Sequence, residues 1–342
     1  MTKVWGIHMQ DTLGTDPVDQ GFVGLGWPRV GDLGRLDCNR EAFKQAVRDA
    51  YPDMKAGAVP VGAGVLFRFS CEIQEGDYVV YPSKHDRMVN IGRFTGAPYY
   101  TPAQAGENED NYPHRRRVEW LGHFPRSEFS QSALYEIGAF ISMFLVKRHG
   151  QEFVAKVDPD AVTGEADISE ETPDDDSVTS TVSKQAEETT HDYVIKRLHR
   201  AITPYEFEHF IAHLLECMGY SARVTEKSAD GGVDVIAHTD ELGFEPPIIK
   251  VQCKQITGQT GEPEVSQLLG TLGEGEFALF VNLGSYSKPA RVLERNRAKL
   301  RLIDGEQLGE LVMEHYNKMS ARYRTLIPLK QIYVPDIIEG SD

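Results

Sequence analysis

Residues 233–238 read VDVIAH and residues 248–256 read IIKVQCKQI. Both runs are short, rich in β-branched residues and bounded by turn formers, Gly231–Gly232 before the first and Pro246–Pro247 before the second, which predicts two strands. Side chains alternate along a strand, so Gln252 and Lys254 share one face while Val251 and Cys253 point to the other. If the strands pair as a hairpin through the loop Thr239–Pro247, Asp234 comes within reach of both polar residues. A carboxylate, an amide oxygen and a lysine then converge. That trio suits phosphodiester cleavage, which needs a hard divalent cation on oxygen ligands, a water that it acidifies, and a positive charge to orient that water or neutralise the pentavalent intermediate. The spacing equally accommodates a buried Lys–Asp pair with Gln252 on a solvated sheet face, and spacing alone does not choose.

Outward from the hairpin, YEFEHFIAHLLECM (Tyr205–Met218) places Phe207, Phe210, Ile211, Leu214, Leu215 and Met218 on one helical stripe, with Gly219 as the stop. After the hairpin come a helix over Glu264–Leu272, a buried strand ALFVNL, a helix over Pro289–Lys299, a strand LRLID and a last helix over Gly305–Tyr316. The order predicts a three-layer α/β domain around a mixed sheet. The helix beginning near Ser287 carries Arg291, Arg295 and Lys299 every four residues, with Arg297 and Arg301 close by. Such a stripe fits a phosphate backbone, and it also fits a solvated face neutralised by Glu294.

From Phe207 to Leu311 the segments FEHFIAHLLECMGY, EKSADGGVDVIAH, IKVQCKQ, SYSKPA and LIDGEQL follow one another in an order that closely resembles the Mrr-type restriction endonuclease domain of the PD-(D/E)xK superfamily. The resemblance implies that Asp234 is the metal-binding aspartate, Gln252 occupies the (D/E) position, Lys254 is the catalytic lysine and Glu208 is an accessory carboxylate on the first helix. The implied cofactor is Mg²⁺ or Mn²⁺, held by Asp234, Gln252 and Glu208. Glutamine departs from the acidic superfamily pattern although it is characteristic of the Mrr branch, and a neutral ligand weakens the grip on the ion. Asp230, in the ADGG turn, is a weaker candidate beside its ordinary turn-forming role. His209 and His213 lie one helical turn apart, but the zinc protease pattern needs Glu directly after the first His and Phe210 stands there.

The N-terminal block reads differently. VWGIH, GFVGLGW, GVLFRFSCEI, DYVVYP, VNIGRF and RRRVEWLGHF alternate with Gly and Pro punctuation, which suggests a small curved or barrel-like sheet. Helical periodicity appears in REAFKQAVRDAY and in SALYEIGAFISMFLVKRHGQEFVAKV. Trp5–Ile7, Gly76–Asp86 and Asn90–Phe94 resemble the EVE and PUA-like group of small β-barrels, which implies a reader of modified bases. A flipped base needs aromatic walls and edge contacts; Trp5, Trp27, Tyr81 and Trp120 could supply walls, and Ser83, Lys84 and Asn90 edges. Each aromatic also suits plain core packing. In the basic run His114–Arg117, Arg116 is a candidate for backbone phosphate, although three adjacent arginines on a strand cannot all face one way.

The 342 residues suffice for two domains. No apolar run approaches the roughly 18 residues of a membrane helix, and no basic region followed by an apolar stretch opens the chain, so a cytoplasmic, non-membrane protein is expected. Cys38, Cys71, Cys217 and Cys253 lie far apart without a C-x₂-C pair, which points to reduced thiols. Of the formal net charge of −16, residues 158–192 contribute twelve Asp or Glu against one Lys. That stretch reads as an acidic disordered linker, either solubilising or imitating nucleic acid. The expected class is α+β: a PUA/EVE-like β-barrel reader domain over 1–157, the linker over 158–192, and a three-layer α/β restriction-endonuclease-like domain over 193–342. The expected function is a metal-dependent endonuclease of the restriction or anti-phage class acting on modified double-stranded DNA. Cutting both strands implies a homodimer or higher oligomer, and the absence of G-x-x-x-x-G-K-[ST] argues against ATP use. Two alternatives remain open, a nuclease activated by a nucleotide signal and a non-catalytic module that only binds modified nucleic acid.

Overall fold

The computed structural model describes residues 2–102, 112–138, 142–161, 175–225, 232–240, 243 and 247–331. The chain divides between Glu188 and Thr189 into two compact units. Among the described residues no helix is long and apolar enough to cross a membrane.

The first unit holds strands β1 (Val4–Ile7), β2 (Phe22–Leu25), β3 (Tyr78–Pro82), β4 (Met88–Phe94), β5 (Tyr99–Tyr100), β6 (His114–Pro125) and β7 (Met143–Leu145). They form a sheet of order β2-β6-β4-β3-β1-β7, with β5 also on β6. Only β1 and β3 run parallel. Alternation on β3 explains its burial along the whole length. Val79 and Tyr81 enter a core with Trp5, Val23, Phe43 and Leu66, while Tyr78 and Val80 enter a second core with Val4, Ile91, Phe129 and Phe153. Helices α1 (Asp16–Asp19), α2 (Arg40–Ala50) and α3 (Ala58–Phe67) come before β3, and α4 (Gln131–Ile137) and α5 (Gly150–Val154) after β6. Apolar residues of α2 and α3 fill the first core and those of α4 and α5 the second. The curved, barrel-like sheet expected here is a curled half-barrel that stays open: its two faces are covered by helices, and among the described residues the outermost strands β2 and β7 do not pair with each other.

Three local expectations change. GVLFRFSCEI is not a strand: it continues α3 and ends in a π-helical turn over Arg68–Glu72. Val59, Gly62, Ala63, Gly64, Val65 and Leu66 are all buried, so this helix has no polar face to reveal its period. The long helix expected after Ser132 is instead α4, then β7 paired antiparallel to β1, then α5. Cys38 and Cys71 form a disulfide across 33 positions, a correction to the expectation of four free thiols; Cys217 and Cys253 remain free.

Residues 162–174 of the expected linker lie outside the described residues. From Asp175 the chain is helix α6, which runs to Arg200, so the second half of that stretch is helical. Val194 and Leu198 bury its C-terminal turns in the second unit's core, and such packing rather than propensity is what sustains a helix.

The second unit contains α7 (Pro204–Cys217), β8 (Ser221–Val224), β9 (Val235–His238), β10 (Ile248–Lys254), β11 (Gln259–Thr260), α8 (Glu262–Leu269), β12 (Glu276–Asn282), β13 (Ser285–Tyr286), α9 (Lys288–Asn296), β14 (Leu300–Ile303), α10 (Gly305–His315) and α11 (Ala321–Leu326). Its main sheet has the order β14-β12-β10-β9-β8, with β10, β12 and β14 parallel and β9 antiparallel to both neighbours. Thr203 and Glu206 close a capping box ahead of α7, with Pro204 in its first turn. One sheet face (Val235, Val251, Leu279, Val281) packs on Val194, Phe207, Phe210, Leu308 and Val312 from α6, α7 and α10. The other (Ala278, Phe280, Leu300, Leu302) packs on Val265, Leu268 and Ala290 from α8 and α9. The result is the three-layer arrangement expected from the order of elements.

Candidate active site

The hairpin read from the sequence is present, with Val235 opposite Val251. Asp234 stands one residue before β9. Asp234 N donates to Val251 O at 2.8 Å, and Cys253 N donates to Asp234 Oδ2 at 2.7 Å, which fixes the carboxylate at the mouth of the strand pair. Along β10 side chains alternate, so Gln252 and Lys254 share one face of the sheet. Gly232, at φ +93°, brings the preceding turn against Gln252; a Cβ there would lie 3.1 Å from Gln252 Nε2.

Gln252 Oε1 is buried and has no hydrogen-bond partner. Glu208 stands on α7, and its carboxylate and that of Asp234 both act on the Cys253 thiol, whose pKa is pushed well up by burial first and by these two charges next. Two carboxylates thus lie near Cys253, the residue that follows Gln252 on β10. Among the described residues no group of three or more His, Cys, Asp or Glu is arranged for a metal, so any ion here would draw on Gln252 as well. An unpaired buried acceptor costs about 1–3 kcal/mol, and hard oxygen donors of this kind fit Mg²⁺ or Mn²⁺. Lys254 Nζ forms an ion pair with Glu264 Oε1 on α8, a residue that sequence reasoning missed. Asp230 lies outside the described residues.

Of the basic stripe, Arg291 is a correction. Its guanidinium donates to Glu294 Oε2 (3.0 Å), Leu302 O (3.3 Å) and Asp304 Oδ2, and stacks over Tyr286. Glu294 Oε1 accepts from Leu302 N at 2.8 Å, so the pair seals the outer edge of β14 rather than offering a cation to a partner. Arg295 and Lys299 are exposed, as is Arg297. His213 accepts from Ser320 N and stacks on Tyr323, and His209 meets the Tyr205 ring edge-on, an arrangement that serves packing, not zinc.

In the first unit Arg116 is 3% exposed and also corrects its expected role. It donates to the carbonyls of Phe69 (2.8 Å), Gly96 (3.1 Å), Ser70 and Ile73 (both 3.2 Å), tying the π-helical turn to β6. Burial pulls its pKa down to about 10, with Asp77 opposing, so it stays charged at neutral pH. Strand alternation sends Arg116 inward and leaves Arg117 exposed. Trp5 is 1% exposed and donates from Nε1 to Asp77 Oδ2, which makes it core rather than a pocket wall. Tyr81 is buried in the same core; Trp27 and Trp120 pack against it half-buried, with Trp27 over Gly62 and Trp120 Nε1 bonded to Pro17 O. Asn90 and Ser83 are buried too, and Lys84 is exposed. Asn90 bridges Tyr81 O and His123 Nδ1, the latter another residue that the sequence did not single out.

This sheet flanked by helices, with Gln252 and Lys254 on one face of β10 and Asp234 hydrogen-bonded to that strand, lies within residues 199–312, which match Mrr_cat, described as a restriction endonuclease. The second unit therefore carries a domain of restriction-endonuclease type. Residues 5–137 match a domain of unknown function, DUF8426. No curated protein matches the chain. Among solved structures it is similar to a protein of unknown function, AF1548, at 18% identity over 33% of this chain and 66% of that one, with a TM-score of 0.28. It is also similar to the MspJI restriction endonuclease in complex with a 27-mer oligonucleotide, at 14% identity over 94% and 78% of the two chains and TM-score 0.33. A third is the DNA modification-dependent restriction endonuclease AspBHI, at 13% identity over 75% and 67% and TM-score 0.32. The chain thus spans just under two thirds of the length of the first of these structures.

Proposed function

We propose that this protein is a divalent-cation-dependent DNA endonuclease of the restriction class, directed to modified DNA by its N-terminal unit. The observation that carries the reading is Asp234 hydrogen-bonded to the strand that bears Gln252 and Lys254, with Gln252 Oε1 buried and unpaired. In this reading Asp234, Gln252 Oε1 and Glu208 would hold Mg²⁺ or Mn²⁺, which when bound supplies Lewis acidity to a water and to the scissile phosphate. Asp234 is pre-oriented by the Cys253 N–H. Lys254 orients the attacking water and offsets charge on the pentavalent phosphorus. Arg295 and Lys299 would meet backbone phosphates, and in the N-terminal set Lys84 is the exposed residue that could reach DNA. Cleavage of both strands of a duplex calls for two such sites and hence a pair of chains.

The test is direct. Purified protein is incubated with modified and unmodified duplex DNA in Mg²⁺ and in chelator. Cleavage restricted to modified DNA, abolished by chelator and by Lys254→Ala, is expected. Equal cutting by Lys254→Ala removes that lysine from the mechanism, and equal cutting of both DNAs removes the reader assignment.

A further inference from the structure

Lys254 does not stand alone on its face of the sheet. Its ammonium is ion-paired with Glu264, the third residue of α8. Both side chains retain solvent contact, 28% for Lys254 and 42% for Glu264, so this pair is not a core element of the fold. Its geometry is nevertheless fixed from behind. Val265 and Leu268 anchor α8 with no exposure on the sheet face that carries Phe280. Asn282, the register partner of Lys254 on β12, is wholly buried and donates from Nδ2 to Thr260 Oγ1 (2.9 Å) and Ser285 O (3.0 Å). The chain leading into α8 is thereby locked to the strand beside Lys254. Gly258 and Gly284 meet so closely that a Cβ on Gly284 would fall 2.0 Å from Gly258 O.

We propose that Glu264 is a positioning residue for the cleavage reaction, holding the Lys254 ammonium on the α8 side and away from the carboxylates that serve the metal. This rests on the nuclease reading above. Lysine is a flexible point charge on a four-carbon stem, and the carboxylate of Asp234 is held at the residue just before it, accepting from Cys253 N at 2.7 Å. Without a competing anion, the ammonium falls onto Asp234, neutralises it, and occupies the space that a cation requires. Because position 252 is neutral, the site cannot spare that carboxylate. Glu264 lies ten residues beyond Lys254 and outside the motif, yet supplies the competing charge from a rigid helix.

Glu264→Ala, Glu264→Asp, Lys254→Met and the double variant Lys254→Met/Glu264→Ala are compared in the full chain. Glu264→Ala is expected to lower kcat by about 10–100-fold with KM for DNA within about twofold, the scale of a misplaced catalytic group. The Mg²⁺ concentration for half-maximal rate rises, and Glu264→Asp restores much of the rate. In the Lys254→Met background the second change adds nothing. A crystal structure of Glu264→Ala is expected to show Lys254 Nζ displaced towards Asp234. Wild-type kcat in Glu264→Ala, or an unmoved Nζ, overturns the proposal. If wild-type protein cuts no DNA, the nuclease reading falls, and the crystal comparison still decides whether Glu264 positions Lys254.

Discussion

In the proposed metal site Gln252 puts a neutral amide where a third carboxylate would bind an ion more tightly. Replacing it with glutamate adds a charge in a place where Oε1 is buried and unpaired. Gln252→Glu is expected to lower the Mn²⁺ dissociation constant several-fold in calorimetric titration at neutral pH, and the gain should fade on acidification as the buried carboxyl takes up a proton. Arg116 illustrates the opposite situation, a charge whose partners are all main-chain carbonyls. Arg116→Met strips donors from four carbonyls around the π-helical turn. It should destabilise the first unit by about 3 kcal/mol or more in urea unfolding, and Arg116→Lys should not rescue it, since no ammonium spans the same fork. The inward turn of Arg116 was implicit in strand alternation. Glu264 was not legible, because its meeting with Lys254 depends on how a helix folds back over a sheet.

At the scale of elements, the β9–β10 hairpin and α7 were readable because their periodicities are local and their turn and cap residues agree with them. Helix α3 was not, since burial on all sides removes the polar face that tells helix from strand. The Cys38–Cys71 link was equally hidden, being a contact of residues 33 apart. It ties the approach to α2 to the turn after α3. Reduction is expected to cost the first unit about 2–4 kcal/mol by freeing that loop in the unfolded chain, seen as a lower urea midpoint with reductant, and Cys38→Ser should be insensitive to reductant. Helix α4 offers a pH test. Glu136 accepts the N–H groups of Lys147 (2.6 Å), Arg148 (2.9 Å) and His149 (2.8 Å) and the His149 ring. Burial raises its pKa, but these hydrogen bonds outweigh burial and hold it below the ordinary 4.5. A carboxyl with a lowered folded-state pKa contributes stability that is complete above its unfolded value and lost as pH falls through the folded one. Wild-type stability should therefore fall more steeply than that of Glu136→Gln as pH drops below about 4.5, measured by thermal unfolding across pH.

For the whole molecule, the distribution of charge matters more than its total. Residues 158–192 hold twelve acidic groups against one lysine, while the exposed cations Arg295, Arg297 and Lys299 lie in the second unit. If that polyanionic stretch meets the cationic surface, it competes with DNA for it, and such competition is electrostatic and therefore screened by salt. Residues 162–174 alone contribute Glu165, Asp167, Glu170, Glu171 and Asp174, and changing these five to Gln and Asn removes the charge without altering length. The neutralised chain is expected to bind a duplex several-fold more tightly than wild type at about 50 mM salt, with the two affinities converging as the Debye length shrinks to about 3 Å near 1 M. The same change made in a chain already carrying Arg295→Gln and Lys299→Gln should have a much smaller effect, because the competing surface is gone. Equal affinities at low salt would mean that the acidic stretch confers solubility and nothing more, and a gain that persists undiminished at high salt would show that charge competition is not its cause.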